Sequence, residues 1–310
     1  MNFDKKTIAV AIPCYNEAIT IAKVVRDFRT ITQAPVYVFD NNSADNSVAL
    51  AREAGAIVHY VRKRGKGNVM RAIFDTIMAD ALIVVDGDDT YMAEEAPMLL
   101  DPVLRGEADM VVGNRLHNVT DESLRKLHQI GNRLIVASIN SMFGTNYNDI
   151  LSGYRVFSRR FIEAVSLFKE GFEIETEITL QALENGLEVI ERPISYRSRP
   201  PSSQSKLRSF RDGYRIMLTS LILLRDYQPM RLFGFVSLVC LLFVFISGTL
   251  RFMNYLRITT LPAPLLTGMI LLFVPVGTLS FGIGLVLSAV NSRFREIKHQ
   301  IMKKNRHLHE

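Results

Sequence analysis

Residues 82–91 read LIVVDGDDTY, four aliphatic residues running directly into three carboxylates within the next four positions. The aliphatic run is short for a helix and fits a strand buried on both faces. Asp86, Asp88 and Asp89 then fall at the strand's C-terminal end, the edge at which open α/β sheets hold their ligands. Asp86-Gly87-Asp88 offers hard oxygen donors of the kind taken by Mg2+ or Mn2+. The same residues also make an ordinary turn, so the rest of the chain has to decide between the two readings.

Upstream the pattern repeats. Residues 7–12 (TIAVAI) form a strand pattern closed by Pro13, and residues 18–28 place Ile21, Val24, Val25 and Phe28 on one helical face. Residues 36–39 lead into Asp40-Asn41-Asn42-Ser43 and a helix from about Asp45; residues 56–61 lead into 62–67 and a further helix. Strands alternating with helices predict an α/β, mostly parallel sheet covered on both faces, with polar loops gathered at one edge.

The 310 residues, 48% of them hydrophobic, join two different chains end to end. Residues 232–250 and 261–290 contain no charged residue, and each is long enough to cross a ~30 Å hydrocarbon core. The expected organisation is an α/β domain over 1–205, an amphipathic interfacial helix region over 206–229, two transmembrane helices within 230–292 and a basic tail over 293–310. No cleavable signal is read at the N-terminus, where the apolar run after Lys5-Lys6 is short. Arg225 and Arg231 flank the first span, and Arg293, Arg295, Lys298, Lys303, Lys304 and Arg306 follow the second. Only Arg251 and Arg257 fall between, which predicts a multi-pass plasma (inner) membrane protein with both termini cytoplasmic. The net charge of +6 is explained by these flanks, and no basic-aromatic motif points to nucleic acid. Cys14 lies in the soluble part and Cys240 in a span, so no disulfide is expected.

Four motifs then occur in order: Pro13-Cys14-Tyr15-Asn16-Glu17, Asp40 to Asp45 (DNNSAD), Arg64-Gly65-Lys66-Gly67-Asn68 and Asp86-Gly87-Asp88. Their order and spacing resemble family 2 glycosyltransferases of the GT-A fold. Further motifs are similar to the polyprenyl-phosphate branch, which includes dolichyl-phosphate mannose synthase-like enzymes. These are Val112 to Arg115, Gly131-Asn132-Arg133, Asp149 to Arg155, Gly171 to Glu175, Tyr196 to Arg199 and Ser205-Lys206-Leu207. Ser202 departs from the pattern, which usually has Gly there, and a Cβ restricts the loop shape.

The resemblance implies a metal-dependent, inverting transfer from a nucleotide-diphosphate sugar to undecaprenyl or dolichyl phosphate. A UDP-hexose is the preferred donor and GDP-mannose the second. Pro13, Tyr15, Asn16, Glu17, Asp40 and Asn42 would receive base and ribose, although residues 40–43 alone would make an Asx turn. Lys66 and Gly67 at a helix start would meet the diphosphate. Asp86 and Asp88 would hold Mg2+ or Mn2+, with Asp89 in a supporting role. Arg115 and Arg133 join them as catalytic candidates, and with Arg199, Ser205 and Lys206 would bind the acceptor phosphate. Asp149 is either a fallback general base or a structural partner of Arg155. In the second span Ser280, Gly284 and Ser288 form a small-residue row, packing first against the chain's own first span and second in self-association.

Three competing readings remain. Transfer to a lipid hydroxyl would need a general base. A processive polysaccharide synthase would carry Gln-x-x-Arg-Trp, and this chain has no Trp. A non-catalytic nucleotide-sensing membrane scaffold would have degraded motifs, whereas the carboxylates and basic residues above are all present.

Overall fold

At the centre of the sheet, β1 (Ile8–Cys14) and β4 (Ala81–Val84) run parallel, Ile8 opposite Ala81 and Ala11 opposite Val84. Beyond β1 lie β2 (Val36–Asp40) and β3 (Ile57–Tyr60); beyond β4 lie β6 (Arg155–Ser158), β5 (Met110–Asn114) and β7 (Val189–Pro193). The order is β3-β2-β1-β4-β6-β5-β7, and only β6 is antiparallel to its neighbours. The computed structural model describes residues 6–115, 126–168, 174–197, 218, 221–222, 225–258 and 260–306. Two compact units result, the second beginning at Met217.

Strand alternation sorts the apolar side chains onto two faces. Val10, Ile12, Ile83 and Val85 pack with Ile21, Val24, Val25 and Phe28 of α1 (Ile21–Thr32) and Leu99, Leu100 and Val103 of α4 (Ala96–Arg105). Ala9, Ala11, Leu82 and Val84 pack on the other face. There they meet Val69, Met70, Ile73 and Phe74 of α3 (Lys66–Thr76), Phe161 of α6 (Arg159–Ala164), and Ile174 and Ile178 of α7 (Ile174–Glu184). Between these come the short α2 (Ser47–Glu53) and α5 (Lys126–Phe143). A residue such as Ile83, with no exposed surface, anchors one face; truncation to Ala would cost about 2–5 kcal/mol.

Pro13 does not close the first strand. Val10 N donates to Pro35 O, so alternate residues of β1 turn their N–H toward β2, and Pro13 turns its missing N–H toward β4. The β1–β4 register ends at Ala11, so no ladder bond is lost there. β1 therefore continues beside β2 to Cys14 opposite Asp40.

In the second unit, α8 (Pro229–Tyr255) and α9 (Ala263–Arg306) are long and apolar enough to cross a membrane, with mean hydropathy 2.4 and 2.3 over their best windows. Gly277 and Gly284 let the two helices approach. A Cβ on either would lie 3.0 Å from a Cβ of α8, that of Cys240 or Phe233 respectively. One member of the small-residue row thus packs against the chain's own first span. Helix α9 runs 44 residues, carrying the basic residues after position 293 as helix.

Candidate active site

Strands β1, β2 and β4 end on one edge, and their last residues and the loops that follow carry Pro13, Tyr15, Asn16, Glu17, Asp40, Asn42, Asp86 and Asp88. Two of those loops are laced together by polar side chains. Asn16 N donates to Ser43 Oγ (2.9 Å), and Asn16 Oδ1 accepts from Ala44 N (2.8 Å). Glu17 N donates to Ser47 Oγ (2.8 Å) and Ala18 N to Asp45 Oδ2 (3.1 Å). Asp40, buried at the end of β2, accepts Ser43 N on both oxygens at 3.3 Å, an Asx turn that also fixes the carboxylate. The Arg64 guanidinium lies 5.3 Å from the Tyr15 ring centre. Cys14, beside Asp40, is inert as a thiol: burial, then the Asp40 charge, pushes it up to about 12.

Asn41 has a role the sequence reading missed. Its Nδ2 donates to Val61 O (3.0 Å) and Lys63 O (2.9 Å), and its Oδ1 accepts from Gly65 N (2.7 Å). It thereby ties the end of β2 to the loop that opens α3, while Asn42 is exposed and donates to Arg62 O (2.7 Å). Nothing local marks this, since all its partners lie more than twenty positions away or nearly so. Asn16, Asn42 and Asp89 hold left-handed backbone, φ 53, 63 and 58, which costs energy in a non-glycine residue and gathers here at the three strand-end loops.

The carboxylates after β4 have separate tasks. Thr20 Oγ1, at the start of α1, donates to Gly87 O (2.6 Å) and fixes the turn. Asp88 is buried and accepts Thr90 Oγ1 (2.6 Å) and Thr90 N (3.3 Å). Asp89 pairs with Lys23 of α1 at 2.6 Å, as support for the loop. Asp86 is 29% exposed and accepts Lys66 Nζ at 2.7 Å; the same ammonium meets Glu175 Oε1 at 2.7 Å. Burial alone would lower the Lys66 pKa, but the two carboxylates reverse that and hold it above the ordinary value. Glu175, the last residue of the Gly171 to Glu175 motif, thus joins this network without a local signal. Asp86 lies against Gly153, where an added Cβ would stand 2.2 Å from Asp86 Oδ2.

On the other side of the edge, Arg115 follows β5 and grips Asp149 with Nε (2.8 Å) and Nη2 (3.0 Å), its ring partner being Tyr196 at 5.5 Å. Asp149 has no exposed surface; burial works to raise its pKa, yet Arg115 lowers it more, and it stays ionised. The expected Asp149–Arg155 pair does not form. Arg155 is buried with Ser152 O (2.9 Å), Thr179 Oγ1 (3.1 Å) and Ile150 O as acceptors, and burial pushes its pKa down to about 10. Arg115 reaches Asp149 instead because the end of β5 delivers it there, its own N also donating to Asp149 Oδ2 (3.2 Å). Arg133 is exposed on α5. Arg199, Ser205, Lys206 and most of the expected interfacial helix lie outside the described residues.

The two sides are strapped together ahead of residue 198. Tyr91 bridges Tyr196, Arg197 N donates to Thr90 O (2.9 Å), and Tyr91 Oη accepts from Gly153 N (3.0 Å).

Among the described residues no group of three or more His, Cys, Asp or Glu side chains is placed to hold a metal ion. Asp86 and Asp88 nonetheless fit Mg2+ or Mn2+, which bind through one or two carboxylates and complete their shells with water and substrate phosphate oxygens. Asp86, 29% exposed, accepts an ammonium at 2.7 Å, a cation contact of the kind a carboxylate ligand makes.

The family model described as glycosyl transferase family 2 matches residues 9–166. Glycosyltransferase AglJ of Haloferax volcanii is 36% identical over 231 residues, 74% of this chain and 76% of that protein. Polyprenol monophosphomannose synthase of Mycolicibacterium smegmatis is 29% identical over 209 residues, 61% of this chain and 77% of the relative. Among solved structures, glucosyl-3-phosphoglycerate synthase from Mycobacterium tuberculosis with Mn2+, UDP-glucose and phosphoglyceric acid superposes with TM-score 0.57 at 19% identity. It covers 71% of this chain and 80% of that one, a likeness of fold.

Proposed function

The chain belongs to glycosyl transferase family 2, and on that premise we propose that it transfers a sugar, with inversion, from a nucleotide-diphosphate donor to polyprenyl phosphate. The observation that carries this reading is the Asp86–Lys66 pair: a partly exposed carboxylate holding a cation at the sheet edge, beside loops tied together by hydrogen bonds. Similarity to a polyprenol monophosphomannose synthase supports the acceptor class. Helices α8 and α9 support a membrane seat, and the basic residues flanking them support cytoplasmic termini.

In this reading Pro13, Tyr15, Asn16, Glu17, Asp40 and Asn42 receive base and ribose, Lys66 and Gly67 meet the diphosphate, and Asp86 and Asp88 hold Mg2+ or Mn2+. When bound, the ion neutralises charge developing on the departing nucleoside diphosphate. A UDP-hexose is the first donor proposed and GDP-mannose the second. Arg115, Arg133, Arg199, Ser205 and Lys206 hold the acceptor phosphate, Arg115 through the N–H groups that Asp149 does not occupy. A phosphate monoester with a second pKa of about 6 arrives largely ionised, so its oxygen attacks the anomeric carbon without a general base. Asp149 does not supply one, being buried and bonded bidentately to Arg115.

The test uses the full chain in detergent with Mn2+ or Mg2+, polyprenyl phosphate and labelled UDP- and GDP-hexoses. Label is expected in the extracted lipid and lost with Asp86→Asn. Absence of lipid label with every donor contradicts the proposal.

A further inference from the structure

Lys66 sits where three elements meet: it is the first residue of α3, Asp86 follows β4, and Glu175 lies in the first turn of α7. The ammonium is 2.7 Å from each carboxylate, but the two acids differ in access. The Asp86 side chain is 29% exposed and that of Glu175 is 9% exposed. An ammonium held this way has one fixed anchor and one that solvent and ligands can reach. A second cation arriving at Asp86 would repel it strongly at such distances.

We propose that Glu175 is a positioning residue that retains Lys66 in the donor site. Lys66 is the resident counter-ion of Asp86 and cedes that carboxylate to a divalent cation while staying bonded to Glu175. The inference rests on the metal reading of Asp86 given above. Its consequence is cooperative: a diphosphate draws the anchored ammonium off Asp86 and so frees the carboxylate, and each ligand therefore strengthens the other. Without Glu175, Lys66 rests on Asp86 alone and competes harder for it.

The experiment measures Mn2+ binding to the full chain in detergent by calorimetry, with and without inorganic pyrophosphate as the diphosphate probe. Lys66→Met is expected to bind Mn2+ alone about fivefold more tightly than the native chain, and Glu175→Gln about fivefold more weakly, the scale of coupling within one hydrogen-bond network. In the Lys66→Met background, Glu175→Gln is expected to change Mn2+ affinity by less than about twofold, because its effect passes through Lys66. Equal or weaker Mn2+ binding by Lys66→Met overturns the proposal. So does a Glu175→Gln loss of the same size in both backgrounds, which would make Glu175 a direct ligand. If Glu175→Gln does not fold, Lys66→Met decides alone. A native chain that binds no Mn2+ with or without pyrophosphate overturns the metal reading itself, so the two failures are distinguishable.

Discussion

Asp86 and Asp149 each meet a basic side chain at nearly the same distance, 2.7 Å from Lys66 and 2.8 Å from Arg115. Their exposures are 29% and 0%. At Asp86 the carboxylate keeps a face toward solvent and its cation is shared with Glu175, so the pair can be opened. At Asp149, Arg115 is forked onto a carboxylate with no exposed surface that also accepts a backbone N–H from Leu151 (3.3 Å), so the acid is locked in place while the guanidinium stays 14% exposed. Contact distance alone does not assign a role; solvent access and the number of bonds do.

Exchanging the partners tests this division most severely. Asp149→Ala empties a fully buried site and leaves the Arg115 guanidinium without its carboxylate, and is expected to destabilise the fold by about 3–5 kcal/mol, read as a fall in the chemical-denaturation midpoint. Asp86→Asn should leave the unfolding free energy within about 1 kcal/mol of native while lowering transfer roughly 100- to 1,000-fold, the scale for losing one transition-state electrostatic contact. If Asp86→Asn proves the destabilising change and Asp149→Ala the silent one, the two assignments are reversed.

A smaller step keeps both acids and moves one. Gly153→Ala places a Cβ 2.2 Å from Asp86 Oδ2, so the carboxylate must shift. Transfer should fall about 10- to 100-fold, with a stability loss of about 1–3 kcal/mol. Native activity in this variant would mean that the position of Asp86 is not critical.

Acidity sharpens the same contrast. The folded-state pKa of Asp149 is depressed, so its contribution is present above the unfolded carboxylate value near 3.9 and is lost as pH falls through the lower folded value. Denaturation midpoints followed downward from pH 6 should therefore drop more steeply below about pH 4 in the native chain than in Asp149→Asn. The smallest effect expected is a lack of one. Cys14, with its thiol pushed up to about 12, should resist iodoacetamide at pH 8 until the chain unfolds, as read by peptide mapping.

Short unbroken apolar runs made the first four strands legible, because strands such as 82–85 bury both faces and show it in composition. Strand β6 was not legible: four residues, RVFS, opening with an arginine, carry no strand signal, and its antiparallel direction depends on β4 and β5. The loops after β1, β2 and β4 were visible as motifs, but Asn41 and Glu175 were not assigned roles because their bonds join distant parts of the chain. Likewise, Asp149 and Arg155 are close in sequence and suggested a pair, whereas strand β5 brings Arg115 to the same carboxylate. Pro13 was expected to end β1 because spacing alone does not tell which neighbour its missing N–H faces.

The central claim is that a lipid phosphate, already charged, is the nucleophile. Its most direct test is the 31P spectrum of the purified lipid product across pH 5 to 8. Transfer to the phosphate converts a monoester, whose resonance titrates with a pKa of about 6, into a diester whose shift stays constant over this range. A product resonance that does not move with pH is the predicted result. A sugar-bearing lipid whose phosphate still titrates near pH 6 would place the sugar elsewhere and contradict the account.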